Sequence, residues 1–354
     1  MKKLRVGFLS TVGIAKKNWA AILHSGNCVV TAVASRDLDR SRAFIADCQG
    51  RHPFETAPVA LGSYDDLLTS PDVDAVYVPL PTGLRRELVI RAAERGKHVL
   101  CEKPCAPGVA DLEAMLAACR RHSVQFLDGV MFMHNPRLAR LREILDDRRS
   151  IGPVRRIASA FTFSGNEDFF RNNIRINGGL EPFGCLGDLG WYCIRFALWT
   201  LDWQLPEGVI GRVLSESENL PGWPGAPIEF AATLFYPGGV TVEFYSSFRA
   251  ALQQWAHVSG PLGWLRVPDF VIPPNPGESV IEVNNQTTTV TDGAQEIRMW
   301  RHFGEQIATG KLNDQWPQWA MQTQRVLDAC LQSARHRSAM TAVTPYAGSH
   351  SALV

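Results

Sequence analysis

The N-terminal third of the chain alternates between short apolar segments and segments with helical spacing. The apolar segments, which lie between residues 4 and 132, read LRVGFL, CVVTAVAS, DAVYVPL, HVLCE and VQFLDGVMF. Strands that are apolar throughout are buried on both faces, and their alternation with helices predicts a parallel sheet covered by helices. We therefore predict an α/β domain over residues 1–128, a doubly wound sheet of the Rossmann type that binds its ligand at the carboxyl ends of the strands.

After the segment MHNPR, strand signals follow one another with short turns between them. They read VRRIASAFTFS, IEFAATLFYPGGVTVEFYSSF, WAHVSG, GWLRVP and SVIEVN, and YPGGV is typical of a hairpin turn. One helix is predicted at about residues 185–199, and the helical segments AQEIRMWRHFGEQIATG and QWAMQTQRVLDACLQSARH come last. This pattern predicts a C-terminal α+β domain over residues 129–340 with a large, mostly antiparallel open sheet, followed by a tail at 341–354.

Composition excludes several classes of partner. A chain of 354 residues exceeds one ordinary core and suits two domains. Its net charge of +1 offers no general attraction for nucleic acid or an anionic membrane, and no apolar run approaches the ~20 residues of a membrane helix. The eight cysteines form no CxxC pair and no metal-ligand spacing with histidine. They predict reduced thiols, no metal site and a cytoplasmic protein.

The turn after the first predicted strand departs from the dinucleotide fingerprint. It reads GFLSTVGIA and comprises Ser10, Thr11, Val12, Gly13, Ile14 and Ala15. The fingerprint asks for glycine at positions 10 and 12, where this chain has Ser10 and Val12. Ser10 can still donate a hydrogen bond, and the N-terminus of the next helix favours an anion. Dinucleotide binding and a plain strand-to-helix turn both remain open from this stretch.

The end of the second predicted strand bears on the choice of cofactor. Ser35 and Arg36 stand where an NAD enzyme has an acidic residue for the ribose 2′-hydroxyl, and they suit a 2′-phosphate. With Arg40 they form the predicted ribose end of the site, which favours NADP over NAD. The alternative is that Ser35 or Asp37 only caps the following helix.

The ends of two further strands predict one rim. The residues concerned are Pro79, Leu80, Pro81, Glu102 and Lys103. A lysine at a rim is usually solvated. Beside Glu102 and before Pro104, however, Lys103 can reach a ribose and a substrate oxygen.

The segment GDLGWYCIR predicts a cluster of chemically active side chains on one helix. Asp188 and Tyr192 are four residues apart and therefore share a helix face. Arg195, three residues after Tyr192, can share that face. The ordinary tyrosine pKa of ~10 is too high for a base at neutral pH, and a nearby ammonium lowers it. Lys103 and Tyr192 therefore predict a proton-transfer pair for an alcohol–carbonyl reaction. The alternative is a core tyrosine with Asp188 as a helix cap.

These segments together resemble the glucose-fructose oxidoreductase / inositol dehydrogenase / rhizopine catabolism (Gfo/Idh/MocA) family of NAD(P)-dependent oxidoreductases, over nearly the whole chain. The most specific stretches are VDAVYVPLPTGLRRELVIRAAERGKHVLCEKP and GDLGWYCIR, supported by LDGVMFMHNPR and QTQRVLDACL. The chain looks closest to the branch of dimeric dihydrodiol dehydrogenase, xylose dehydrogenase and plant-type oxidoreductases, which has tyrosine where other members have histidine. Tyr192 matches that tyrosine.

The resemblance implies roles for the central residues. Lys103 contacts the ribose and the substrate hydroxyl and lowers the pKa of Tyr192, which is the general acid/base. Asp188 holds a substrate hydroxyl, and hydride passes between a substrate carbon and nicotinamide C4. Two departures are Arg85, where many members have histidine, and Arg195, where many have an acidic residue.

The predicted function is an NAD(P)-dependent oxidoreductase acting on a sugar or related polyol or cyclic alcohol. The alternatives are a non-catalytic NAD(P)-sensing protein, or a hydrolase or epimerase that uses tightly bound NAD for transient oxidation. Substrate contacts are assigned to Arg171, Trp191 and Arg195. Further candidates without roles are Phe163, Phe169, Arg175, Trp255 and His257. The resemblance also implies a homodimer or homotetramer through the C-terminal sheet.

Overall fold

The computed structural model of the chain describes residues 3–219, 222, 224–273, 277–291 and 294–344. The strands are β1 Leu4–Leu9, β2 Cys28–Ala34, β3 Val59–Leu61, β4 Ala75–Val78, β5 His98–Cys101, β6 Phe126–Asp128, β7 Arg156–Thr162, β8 Gly208–Glu216, β9 Pro227–Tyr236, β10 Val240–Ser247, β11 Gln253–Ser259, β12 Trp264–Val267, β13 Glu278–Val283, β14 Gln286–Thr291 and β15 Thr341–Ala342. The α-helices are α1 Gly13–Ser25, α2 Leu38–Arg51, α3 Tyr64–Thr69, α4 Arg85–Glu94, α5 Val109–Arg121, α6 Arg137–Asp146, α7 Glu167–Asn172, α8 Trp191–Thr200, α9 Gln295–Ala308 and α10 Gln315–Arg335.

The first six strands form the predicted parallel sheet. Their order is β3-β2-β1-β4-β5-β6, and every neighbouring pair is parallel. From β1 the strand order runs outward to β3 on one side, and the chain then returns to the other side of β1 to form β4. Doubly wound sheets bind their ligands at this point, between β1 and β4. The Rossmann prediction is confirmed. β3 is missing from the prediction because it has only three residues and lies at the edge, partly exposed.

The other nine strands form a mixed, mostly antiparallel sheet in the order β14-β13-β12-β11-β7-β10-β9-β8-β15. The predicted antiparallel character is confirmed, with one exception: β7 lies parallel to β10 and separates it from β11. Burial alternates along β9, so one face of this sheet is covered and the other is open. The buried helix α8 and the turn before it cover the inner face.

The two last long helices return to the first sheet. α9 packs on α1, where Asn27 donates to the carbonyl of Arg301 at 2.8 Å and Arg301 donates to that of Ser25 at 3.0 Å. α10 packs on α5, and the Asp328 carboxylate accepts from the Val109 amide at 2.8 Å. Helices of the predicted second domain thus contact both sheets, and the division at residue 128 stays a prediction.

The end of the chain adds an edge strand to the second sheet. β15 pairs with β8 inside the predicted tail, whereas residues 345–354 lie outside the described part of the chain. None of the helices in the described residues has the length and apolar character needed to cross a membrane.

Candidate active site

The predicted rim lysine meets the predicted helical cluster. Lys103, two residues beyond β5, places Nζ 2.7 Å from Asp188 Oδ1 and 2.7 Å from the Asp188 carbonyl. Only 11% of the lysine side chain and 17% of the aspartate side chain are exposed. The close approach depends on Gly187, where a Cβ would lie 3.0 Å from Pro104 Cγ. Lys103 is therefore a buried, paired cation and not a solvated one.

A second cation, Arg175, contacts the same carboxylate. Its Nε lies 2.9 Å from Asp188 Oδ2, and 45% of its side chain is exposed. Burial would raise the pKa of Asp188, but Arg175 and Lys103 outweigh it and lower that pKa to about 2. Asp188 is thus ionised at neutral pH. The sequence offers no role for Arg175, because it lies in a separate short turn, residues 174–176, that no helical spacing links to Asp188.

Tyr192 lies one turn after Asp188 and is buried. Its hydroxyl lies 3.6 Å from Met131 Sδ, and its ring packs against Phe132 and Phe161. Lys103 Nζ lies 4.8 Å from the ring centroid, above the ring face. The three predicted residues Lys103, Asp188 and Tyr192 are thus adjacent.

The predicted lowering of the Tyr192 pKa is contradicted. Burial raises this pKa well above its ordinary value, and the negative charges of Glu102 and Asp188 raise it further. Lys103 does not reverse this, because its charge is paired with Asp188. The Tyr192 hydroxyl keeps its proton at neutral pH.

A chain of buried hydrogen bonds fixes the Glu102 side chain. Tyr77 donates to Glu102 Oε1 at 2.6 Å, Asn18 donates to the Tyr77 hydroxyl at 2.7 Å, and Trp300 Nε1 donates to Asn18 Oδ1 at 2.7 Å. These three residues come from β4, α1 and α9, and sequence reasoning missed them. An isolated asparagine in a helix and a tyrosine in a buried strand are weak signals, since both are common in cores.

The turn between β1 and α1 is open to a ligand. Val12 precedes α1, and no side chain among the described residues caps the amides that begin this helix. A Cβ on Gly13 would meet nothing within 4 Å, and Ile14 is exposed. Ser10 is buried, with a positive φ of 123°. Uncapped amides with free space before them fit a dinucleotide pyrophosphate.

At the end of β2, the helix-capping alternative applies to part of the prediction. Asp37 caps α2 by accepting from the Asp39 amide at 2.9 Å. Ser35 is buried, and its hydroxyl donates to the Asp37 carbonyl at 2.5 Å. Arg36 and Arg40 are exposed, and Arg40 lies 3.8 Å from Asp37. Of Ser35 and Arg36, the two residues predicted to suit a 2′-phosphate, only Arg36 is exposed and open to a phosphate.

Two of the three residues assigned to substrate contact are buried, and the assignment of the third, Arg171, stays a prediction. Arg195 is 1% exposed and binds Asp128 at 2.5 Å and Thr323 at 2.7 Å, because it turns toward the end of β6. Trp191 is fully buried. Arg171 is exposed and pairs with Glu167 of its own helix at 3.4 Å. The structure contradicts the shared face of Arg195 with Asp188 and the access of Trp191 to a substrate.

Comparisons with known proteins converge on one family. Residues 4–129 match an oxidoreductase family with an NAD-binding Rossmann fold, and residues 138–266 match the GFO/IDH/MocA C-terminal domain. An uncharacterized oxidoreductase of Rhizobium meliloti is 31% identical, over 94% of this chain and 98% of that protein. D-Xylose 1-dehydrogenase (NADP(+)) 2 of Haloferax volcanii is 29% identical over 94% of this chain and 98% of its own. A 3-ketoreductase from Actinomadura kijaniata, solved with NADP and TDP-benzene, is 26% identical with a TM-score of 0.83, covering 94% and 98% of the two chains.

Proposed function

The chain belongs to the Gfo/Idh/MocA family of NAD(P)-dependent oxidoreductases, which act on sugar-like substrates, and we propose that it moves hydride between nicotinamide C4 and a carbonyl or alcohol carbon of a sugar or related polyol. The observation that carries this proposal is the cluster of Lys103, Asp188 and Tyr192 beside the carboxyl ends of β4 and β5. A protein that only senses NAD(P) needs contacts to the cofactor and has no use for such a cluster.

The residues present fit a nicotinamide dinucleotide, and either NADP or NAD suits the fold. The uncapped start of α1 would hold the pyrophosphate, and Arg36 would hold a 2′-phosphate. The two rim segments, residues 79–81 and 102–103, would line the nicotinamide end. When bound, the cofactor supplies the hydride chemistry.

Within the proposed site, Tyr192 transfers the proton at the substrate oxygen. Because its pKa is raised, it holds a proton at neutral pH and suits the protonation of a carbonyl oxygen during reduction. Asp188, kept ionised by Lys103 and Arg175, accepts a hydrogen bond from a substrate hydroxyl. Lys103 uses two of its three Nζ donors on Asp188 and would offer the third as a hydrogen bond to the same substrate oxygen.

The first experiment is equilibrium binding of NADPH and NADH to the purified chain, measured by the change in intrinsic tryptophan fluorescence. Saturable NADPH binding, and loss of reduced-nicotinamide absorbance with ketoses, aldoses or diols, would support the proposal. Failure to bind either cofactor would contradict it. A chain that purifies with nicotinamide bound and turns over substrate without net change in that absorbance would instead be the hydrolase or epimerase.

We expect Arg36→Ala to weaken NADPH binding by ~10- to ~100-fold and NADH binding hardly at all. A hydrogen bond between charged groups contributes about 1.5–3 kcal/mol, and each ~1.4 kcal/mol is tenfold in affinity. Arg42→Ala is the matched control, because Arg42 is also an exposed arginine, in α2, and pairs with Asp39. Equal losses for both cofactors would reverse the preference for NADP.

The open face of the second sheet supports assembly into a homodimer or homotetramer. Ile210, Thr233, Tyr245 and Trp255 project from its central strands around the ion pair of Arg156 with Glu243. An uncovered face with apolar and aromatic side chains is typical of an interface. We expect light scattering to give a dimer or tetramer, and Trp255→Asp to shift it toward monomer. A monomeric native chain would refute this assembly.

The cysteines support the proposed cytoplasmic location. All eight are free and buried, and unpaired thiols are the usual state of proteins in a reducing compartment.

A further inference from the structure

We propose that Arg85 is a positioning residue, which keeps Lys103 in place by binding the backbone carbonyls on both sides of it. The inference rests on the proposed function, in which Lys103 takes part. Arg85 is the first residue of α4 and only 4% exposed. Its neighbour Arg86 points outward, with 54% of its side chain exposed, and pairs with Asp111.

The Arg85 guanidinium joins the two rim segments. Its Nε donates to the Leu80 carbonyl at 2.6 Å, and one terminal nitrogen donates to the Glu102 carbonyl at 2.6 Å. The same nitrogen donates to the Pro104 carbonyl. One planar group thus fixes the residue before Lys103, the residue after it, and the end of the neighbouring strand. Arginine suits this task because its donors lie in a rigid fork.

A second set of contacts joins this corner to residues 180–181. Thr82 Oγ1 lies 3.4 Å from the Pro104 carbonyl and donates to Glu181 Oε2 at 2.6 Å. The Thr82 amide donates to Glu181 Oε1 at 3.0 Å, and the Gly83 amide to the Leu180 carbonyl at 2.8 Å. Residues 180–181 lead directly into the turn that carries Asp188. Arg85 is therefore at the junction that sets the distance between Lys103 and Asp188.

Nothing in these contacts points to a role of Arg85 in binding substrate. In the described residues its Nε and one terminal nitrogen bind main-chain carbonyls of the rim segments, and its side chain is buried. Lys103 Nζ has three N–H donors, and two acceptors of Asp188, its carbonyl and Oδ1, each lie 2.7 Å from it. The position of Lys103 depends on the backbone that Arg85 fixes.

The test compares Arg85→Ala, Arg85→Lys and the control Arg86→Ala. We expect Arg85→Ala to lower kcat by ~10²-fold, since small misplacements of a reacting group have effects of this size, with little change in the NADPH dissociation constant. Guanidinium ion at non-denaturing concentration should restore part of the lost kcat, and Arg85→Lys should retain more than Arg85→Ala. Arg86→Ala should behave like the native chain. Native kcat in Arg85→Ala would overturn the proposal.

A second measurement does not depend on turnover. Labelling of single lysines by an amine-reactive reagent, read by peptide mass spectrometry, reports how firmly Lys103 is held. Lys97 is the internal control, because it is also buried and its Nζ donates to the carbonyls of Ser70 and Val73 at 2.7 Å. We expect faster labelling of Lys103 alone in Arg85→Ala.

The two measurements separate the failure of each proposal. Faster labelling of Lys103 in Arg85→Ala, together with a native chain that turns over no substrate, would leave the positioning role standing and refute the proposed function. Unchanged labelling of Lys103, or an equal increase at Lys97, would refute the positioning role whatever the activity. If Arg85→Ala does not fold, the same comparison is made with Arg85→Lys, for which we expect a smaller increase at Lys103.

Discussion

Tyr192→Phe is expected to lower turnover by ~10²–10⁴-fold, the usual contribution of a positioned proton donor. NADPH binding should change little, because the substitution removes only the hydroxyl oxygen. The fold should also tolerate it, since the hydroxyl has a weak contact to Met131 Sδ and the ring packing with Phe132 and Phe161 is retained. Steady-state kinetics, cofactor titration and thermal unfolding measure the three effects.

Tyr236→Phe is the matched control for this substitution. Tyr236 is likewise buried, burial likewise raises its pKa, and its hydroxyl has no partner among the described residues. It lies at the end of β9, so we expect native turnover. Native turnover in Tyr192→Phe would remove the tyrosine from the reaction. A loss of NADPH binding of the same size as the loss in turnover would make it a cofactor contact instead.

The first sheet could be predicted from sequence because its strands are apolar on both faces. Each predicted segment corresponds to one of β1, β2, β4, β5 and β6, and their carboxyl ends bring the two rim segments together. For the second sheet, the sequence predicts the mostly antiparallel character but not the order in which the strands pair. The parallel pairing of β7 with β10 joins strands some eighty residues apart, and no local pattern reports it. The amphipathic segment RLARLREILD, which forms α6, has a helical signal that the prediction omits.

The site divides in the same way. Lys103, Asp188 and Tyr192 could be predicted because strand ends and helical spacing place them, whereas Arg175 and Arg85 act through contacts between loops. Arg195 shows the limit of helical spacing. It follows Tyr192 by three residues, but a helix buried on every side has no single functional face, so this side chain found its partner in β6.

Arg195→Ala is expected to lower the free energy of unfolding by ~3–5 kcal/mol, because it leaves the carboxylate of Asp128 buried without its cation. Both side chains are 1% exposed, and Arg195 also donates to Thr323 at 2.7 Å. Denaturant unfolding measures the loss. Arg140→Ala is the control, since Arg140 and Glu143 form an ion pair at the surface, where such pairs contribute about 0–1 kcal/mol.

A double substitution separates the missing charge from the missing side-chain volume. Arg195→Met combined with Asp128→Leu removes both charges and keeps apolar volume, so it should recover much of the stability that Arg195→Ala loses, as replacement of buried ion pairs by apolar residues often does. Retained stability in Arg195→Ala together with a raised KM for a sugar would contradict this role, because a side chain that contacts substrate would have to leave Asp128. The expected result is lost stability with unchanged KM in the molecules that remain folded. It would show that Arg195 connects α8 to the end of β6, and so helps to align Tyr192 with the cofactor end of the first sheet.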